Sequence, residues 1–219
     1  MPQLVAIRQE KNIEAKENSV TYYFEPLDEW NLIDDKDLWV YNKLFLSRVL
    51  GYNCGPSGVP VPKPDFYVVR PSMNLMGMGR LSRIEYIQDN TDFLHPSEFW
   101  CEVFDGEHLS VDYHCEECNL VVRGIRNPND SLYKWLRWEK VNKIIEFPSI
   151  LKTLNKFYEW INCEFIGNNL IEVHFRRNPD FRYGNTIAIP VWNNDVVQIN
   201  SKYKYIEDRD YFRKGFLID

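Results

Sequence analysis

The 219-residue chain has no apolar run that approaches the length of a membrane span. Its first sixteen residues also lack the apolar core of a signal peptide. Cysteines number only five, an odd count at irregular spacing that is typical of proteins from a reducing compartment. The lack of a long apolar run and of a signal-peptide core, together with the few cysteines, predicts a cytoplasmic protein with no membrane segment.

Positive charge is not in excess either. Lys and Arg number 26 against 32 Asp and Glu, a net charge of −6 that argues against general binding to nucleic acid or anionic membranes. Basic residues nonetheless cluster at residues 123–126, 134–143 and 176–182. Local basic patches in an acidic protein suit a small anionic ligand better than a polyanion.

Apolar residues make up 44% of the chain and aromatic residues 15%, enough for a packed core in one large domain or two small lobes. Strand-like and helix-like patterns mix without regular βαβ alternation, which predicts the α+β class. The predicted helices cover residues 38–50, 131–145 and 148–161. The predicted hairpins pair residues 107–113 with 120–125, and residues 163–166 with 170–175.

Residues 66–80 hold a β-rich run that ends in Arg70, followed by a loop containing Gly77, Met78 and Gly79. Glycine lets backbone N–H groups approach an anion, and an arginine offers a fixed fork of donors to phosphate oxygens. The stretch therefore suits a phosphate site. An ordinary glycine-containing turn is the alternative interpretation.

The last predicted hairpin carries Glu164 on one strand and Glu172 with His174 on the next. Strand side chains repeat every two residues, so Glu172 and His174 share a face. Two carboxylates and an imidazole there would suit a divalent cation such as Mg²⁺. Spacing alone favours the other interpretation, a solvated strand face with ordinary polar alternation.

Cys115 and Cys118 form a CxxC pair at the turn of the first predicted hairpin. Zinc would need a second suitably spaced pair, which the sequence does not contain. An ordinary turn is the favoured interpretation over metal or redox chemistry.

Four segments in order resemble the motifs of the ATP-grasp superfamily. In that family a helix and loop of the form (D/N)K…LL…G(V/I)PVP leads into a strand ending VVKP. A strand of the form E-x-x-x-G-x-E-x-S/T-V-D and a late E-x-N-x-R strand follow. The corresponding segments here are residues 42–62, 67–71, 102–112 and 171–176.

The resemblance implies a divergent, compact member with two α+β lobes that clamp a nucleotide, and it covers roughly residues 38–180. Residues 1–35 would form an N-terminal arm or edge strand, 36–105 the N-lobe with its glycine-rich lid, and 106–219 the C-lobe with the metal-binding hairpin. The separate N-terminal domain that many such ligases use for the acceptor substrate would be absent.

Carried to this sequence, the resemblance implies that Arg70 replaces the usual lysine on nucleotide phosphates. Gly77, Met78 and Gly79 would form the phosphate loop. Arginine keeps the charge of lysine but presents a planar fork instead of a point charge.

The same resemblance gives roles to residues of the later strands. Glu102 would begin the hinge beside adenine, and Glu107 would bind ribose hydroxyls. Arg123, by its position on the strand after the hinge, would be a further phosphate contact. Glu164 and Glu172 would be magnesium ligands, with His174 in the place of asparagine; a histidine would tolerate Mn²⁺ better. Arg176 would contact phosphate or an acyl phosphate, so that Arg70 and Arg176 are the expected catalytic residues.

The implied function is an ATP- and Mg²⁺-dependent ligase that joins a carboxylate to an amine or related nucleophile through an acyl phosphate. Its partners would be a small-molecule or peptide carboxylate and an amine donor. One alternative is a non-catalytic nucleotide-binding or protein-interaction module that keeps the fold. Another is an unrelated α+β binding protein.

Overall fold

The computed structural model describes residues 33–73, 79, 81–154, 158–195, 202–210 and 213–219. Gly77, Met78 and all but three residues of the predicted arm lie outside these ranges. In the described part of the chain, no helix has the length and apolar character needed to cross a membrane.

A four-stranded antiparallel sheet forms the first half of the fold. Its strands lie in the order β1-β4-β2-β3. Tyr67, Val69 and Trp100 pack into a small core on one face of this sheet, and the β-rich run that ends in Arg70 forms β2. The strands are β1 (Cys54–Pro56), β2 (Asp65–Pro71), β3 (Arg83–Ile87) and β4 (Glu98–Glu102).

An eight-stranded antiparallel sheet forms the second half, in the order β11-β12-β10-β7-β6-β5-β8-β9. Both predicted hairpins are confirmed, as β5–β6 and β8–β9. The strands are β5 (His108–His114), β6 (Glu117–Arg126), β7 (Trp135–Lys140), β8 (Trp160–Ile166), β9 (Asn169–His174), β10 (Ile187–Trp192), β11 (Lys204–Asp210) and β12 (Arg213–Ile218). The fold is α+β, with most of its regular structure in antiparallel sheet.

Strand alternation gives the large sheet two different faces. Leu109, Val111 and Cys163 point into the main hydrophobic core. The side chains between them, such as His108 and Ser110, point into a cleft against the small sheet. This alternation decides which residues of each strand belong to the cleft.

The helix predicted over residues 38–50 is broken into two pieces. A 3₁₀ helix spans Asp35–Tyr41 and an α-helix, α1, spans Lys43–Val49. Asn42 separates them in an extended conformation, and its side chain caps α1 by accepting from the Phe45 N–H at 2.9 Å. The break places Lys43 at the first turn of α1, where its side chain is buried.

The other two predicted helices are wrong. Residues 131–145 contain β7, whose Trp138 pairs with Gly124 of β6. Residues 148–161 hold a 3₁₀ helix, Ser149–Thr153, and the start of β8. Leu151 and Ile161 still reach the main core, so sheet pairing and short turns bury the apolar residues that a helix was expected to bury.

The CxxC pair lies at the β5–β6 turn, as predicted. Cys115 and Glu116 adopt positive φ angles of 49° and 70°, typical of a tight turn. Both cysteines are free thiols.

The linker between β4 and β5 passes very close to the β8–β9 turn. Gly106 has a φ of +126°, and a Cβ there would lie 2.6 Å from Cα of Gly167. The Gly167 N–H donates to the Glu107 carbonyl at 2.9 Å. Two glycines therefore permit the close approach of the linker to the β8–β9 turn, where the chain passes from the small sheet to the large one.

Gly106→Ala is expected to lower the free energy of unfolding by about 1–3 kcal/mol, because backbone atoms must separate to admit the methyl group. Gly51→Ala is the matched control, since Gly51 also has a positive φ of +77° but open space around it. Urea unfolding of both variants measures the difference. Equal losses at the two positions would mean that the close approach to Gly167 contributes nothing.

Candidate functional site

A cleft of about 850 Å³ lies between the inner faces of the two sheets. This volume is in the range of pockets that hold nucleotides and other small ligands. Val68, Arg70 and Ile84 line it from the small sheet, and Glu164 and Glu172 line it from the large sheet. The small sheet thus gives the cleft two apolar side chains and one cation, and the large sheet, called the floor of the cleft below, gives it two carboxylates.

Arg70 lies at the end of β2 and is only 8% exposed. Its Nη2 donates to the Ile171 carbonyl of β9 at 3.1 Å, and its guanidinium lies 5.2 Å from the centre of the Phe99 ring. Its Nε has no hydrogen-bond partner among the described residues. A buried cation with unused donor capacity therefore lines the cleft.

Lys43, to which the sequence motifs assign no role, forms a buried ion pair in the cleft. Its Nζ lies 2.8 Å from Oε2 of Glu172, and both side chains are at least nine-tenths buried. The other Glu172 oxygen, Oε1, lies 3.2 Å from Nε2 of His174. Burial opposes ionisation of Glu172, but the charge of Lys43 and the bond to His174 outweigh it and hold its pKa well below the usual range.

This low pKa has a consequence for acid stability. Since the pKa of Glu172 is lower in the folded chain than in the unfolded one, the carboxylate stabilises the fold above about pH 4.3. That contribution is lost as the pH falls from there towards the lowered value. We expect the unfolding free energy of the wild type to fall more steeply below about pH 4.3 than that of a Lys43→Met/Glu172→Gln double variant. Urea unfolding between pH 7 and pH 3 checks this, and parallel profiles would contradict it.

Glu164 stands directly opposite Glu172 in the β8–β9 register, on the cleft face. Its Oε2 lies 3.0 Å from Nε2 of His108. The structure therefore brings the predicted metal ligands Glu164, Glu172 and His174 to adjacent strands. No three His, Cys, Asp or Glu side chains in the described ranges are arranged as a preformed metal site.

The donor set nevertheless fits a cation that arrives with a ligand. Mg²⁺ commonly binds one or two protein carboxylates and takes its other ligands from phosphates and water. Glu164 and Glu172 can supply those two carboxylates, provided that Glu172 releases Lys43. His174 faces Glu172, so it is placed to orient that carboxylate as much as to bind a cation.

A buried polar network lies beside these charges. Asp112 accepts from Asn162 Nδ2 and from the Asn178 N–H, each at 2.8 Å. Asn162 and Asn178 also donate to Oγ of Ser110, at 2.8 and 3.2 Å. Burial raises the pKa of Asp112, although both donors oppose this. These hydrogen bonds hold the chain that follows β9 against the large sheet. The sequence signal for this network was the Ser-Val-Asp motif, which contains Ser110 and Asp112.

Glu107 and Arg123 lie away from the cleft. The Arg123 guanidinium donates to Glu107 at 2.8 Å and also pairs with Glu139, while Glu107 pairs with Lys143. None of these four side chains lines the cleft. Because side chains alternate along β5, His108 and not Glu107 faces the cleft.

Three further predicted site residues lie at the cleft. Glu102 lines it and accepts from the Asn53 N–H at 2.8 Å. Gly79 and Arg176 also line it, whereas Gly77 and Met78 lie outside the described ranges. The structure therefore brings Arg70, Gly79, Glu102, Glu164, Glu172, His174 and Arg176 to one cleft. Their roles towards a ligand stay predictions.

No family model and no curated protein matches this chain. Solved structures that it is similar to include an ATP-grasp superfamily protein from Archaeoglobus fulgidus, at 13% identity and a TM-score of 0.46, over 82% of this chain. The ATP-grasp ligase PsnB complexed with a minimal precursor is similar at 12% identity and a TM-score of 0.38, over 81% of this chain. PsnB complexed with a phosphomimetic precursor variant, Mg and ADP gives 12% and 0.37, over 84%.

The chain spans 64% of the length of each of these solved chains. The α+β class expected from the sequence agrees with the strands and helices of the structure.

Proposed function

We propose that the protein is an ATP-dependent ligase that joins a carboxylate to an amine or related nucleophile through an acyl phosphate. The observation that carries this proposal is that two buried cations, Arg70 and Lys43, both contact β9 in a cleft large enough for a nucleotide. Two buried cations, one of which is paired with a carboxylate, suit a ligand that brings both phosphate and a metal ion.

Phosphoryl transfer depends mainly on positioning and on neutralising charge. Arg70 would hold phosphate oxygens with its fork of donors, and Lys43 and Arg176 would add positive charge. In the first step a carboxylate oxygen attacks the γ-phosphorus, and ADP leaves. In the second step the nucleophile attacks the acyl carbon, inorganic phosphate leaves, and the amine loses a proton.

Glu164 and Glu172 would hold the divalent cation, and His174 makes Mn²⁺ an acceptable substitute for Mg²⁺. When bound, this cation would neutralise charge on the nucleotide phosphates. Glu172 can serve in this way only after it separates from Lys43, so phosphate binding by Lys43 would free the carboxylate for the metal.

The acceptor is proposed to be a small-molecule or peptide carboxylate, and the donor an amine. ADP release from ATP and Mg²⁺, screened over amino acids and short peptides, tests this proposal. We expect release that depends on both a carboxylate and an amine, and its loss in Glu164→Gln and Glu172→Ala. Release that persists unchanged in both variants would contradict the proposed roles of these carboxylates.

A second candidate function is nucleotide binding without catalysis. The observation that favours it is the engagement of both Glu172 oxygens, by Lys43 and by His174. This candidate predicts nucleotide binding that is indifferent to metal, with no ADP release for any acceptor. The ligase proposal predicts the opposite for both readouts.

A further inference from the structure

The floor of the cleft has an aromatic half that the proposed nucleotide site does not use. His108, Gly124 and Trp138 stand in register across β5, β6 and β7. A Cβ on Gly124 would lie 2.5 Å from the Trp135 ring, so this ring lies directly over the glycine. The Trp135 ring centre is 4.6 Å from the ring centres of both His108 and Trp138.

Neighbouring residues hold this aromatic floor in place. Trp192 Nε1 donates to the Trp135 carbonyl at 3.3 Å, and Trp138 is only 9% exposed. Trp135 remains half-buried and lines the cleft together with Trp192. A rigid tryptophan surface inside a cleft offers contact area to a ligand at little cost in side-chain entropy.

Arg126 provides a cation above this floor. Its guanidinium carbon lies 5.8 Å from the centre of the Trp135 ring, and Nη1 donates to the Leu132 carbonyl at 3.4 Å. Among the described residues, no Asp or Glu forms an ion pair with Arg126, whereas Arg213 pairs with both Asp180 and Asp208. Arg126 therefore keeps donors for an anion from outside the chain.

This aromatic half adjoins the charged half of the floor. His108 touches both halves, because its Nε2 bonds to Glu164 while its ring packs against Trp135. A ligand that packs against Trp135 would thus lie next to the carboxylates that are proposed to hold the metal ion. The two subsites share one cleft but use different strands.

We propose that Trp135 and Arg126 form the subsite for the acceptor, and that this acceptor is a carboxylate with an aromatic or bulky apolar body. The carboxylate binds the Arg126 guanidinium, and the apolar body lies against Trp135. The assignment of this ligand as the acceptor rests on the proposed ligase function, whereas the binding subsite itself does not.

Phenylacetate is a suitable probe, with acetate and benzylamine as matched comparisons. By calorimetry or tryptophan fluorescence, wild-type protein should bind phenylacetate at least tenfold more tightly than acetate, and benzylamine not at all. Arg126→Gln should weaken phenylacetate binding at least tenfold and Trp135→Leu at least fivefold. Gly124→Ala, which displaces the Trp135 ring, should resemble Trp135→Leu.

Controls are available on the same strand and elsewhere. Arg137 is exposed, pairs with Glu139 and does not line the cleft, so Arg137→Gln should bind phenylacetate like the wild type. Trp39→Leu is the corresponding control for a tryptophan outside the cleft. Phenylacetate binding that is unchanged in both Arg126→Gln and Trp135→Leu would overturn the subsite.

ADP titrations separate this inference from the proposed function. ADP affinity that is unchanged in Arg126→Gln and Trp135→Leu supports a separate acceptor subsite. Direct competition between ADP and phenylacetate would overturn it and assign these residues to the nucleotide. Phenylacetate binding without any ADP binding would support the subsite and contradict the ligase proposal.

Discussion

Lys43→Met is expected to lower the free energy of unfolding by about 3–5 kcal/mol, the range for removing one partner of a buried ion pair. Lys43 and Glu172 are both at least nine-tenths buried, and their charged atoms lie 2.8 Å apart. Without the ammonium, Glu172 keeps only His174 beside it in a low-dielectric site. The variant must then either bury an uncompensated carboxylate or bind a proton.

Urea unfolding at pH 7 measures this loss. Lys63→Met is the matched control, because Lys63 forms its ion pair with Asp65 on the exposed surface and should unfold like the wild type. The double variant Lys43→Met/Glu172→Gln should recover part of the stability, since it removes the stranded charge. A single Lys43→Met variant as stable as the wild type would show that the buried pair does not hold α1 against β9.

Arg70→Gln is expected to weaken ADP binding by at least 30-fold, or about 2 kcal/mol, the usual strength of hydrogen bonds to a charged group. Arg70 is the buried cation that the small sheet presents to the cleft. Glutamine keeps a side-chain donor but is shorter and removes the charge. Arg70→Lys should show an intermediate loss, because it keeps the charge and loses the planar fork.

Calorimetric titration with ADP in the presence of Mg²⁺ measures these affinities. Arg48→Gln is the control, since Arg48 lies on the exposed side of α1 and does not line the cleft. Near-ultraviolet circular dichroism shows whether each variant keeps its packing. If folded Arg70→Gln binds ADP as tightly as wild type, Arg70 is not a phosphate ligand.

Several strands of this fold could be predicted from the sequence, whereas two of the three predicted helices are wrong. Alternating runs such as β2 and β3 carry a local signal, because one face is buried and the other is not. The segment around Trp135 and Trp138 has apolar spacing that suits a helix, but it pairs with β6 across Gly124. That pairing depends on a neighbour distant in sequence, which local periodicity does not report.

The candidate site was predictable where one strand carries several of its residues. Glu172 and His174 share a face of β9, and the cross-strand register brings Glu164 to the same place. Lys43 was missed because its ion pair with Glu172 requires α1 to pack on β9, 129 positions away in sequence. Arg126 was missed because its position over Trp135 depends on the pairing of β6 with β7, and the residues of β7 were predicted to be helical.

Glu107 and His108 are neighbours in sequence, but His108 lines the cleft and Glu107 does not. The sequence motif implied a ribose role for Glu107, and the structure places Glu107 in an ion-pair cluster outside the cleft lining, next to His108, which lines the cleft. Adjacent strand residues point to opposite faces, and a motif does not report which face its residue takes.

Titration of ATP against the wild-type protein and Glu172→Ala, with and without Mg²⁺ or Mn²⁺, tests the central claim most directly. We expect the wild type to bind ATP and to bind it more tightly when either metal is present. In Glu172→Ala the metal effect should disappear, and Glu164→Gln provides a second carboxylate variant that leaves the Lys43 pair intact. If the wild type does not bind ATP under any of these conditions, the cleft is not a nucleotide site. If metal has no effect and Glu172→Ala binds like the wild type, the ligase proposal is wrong.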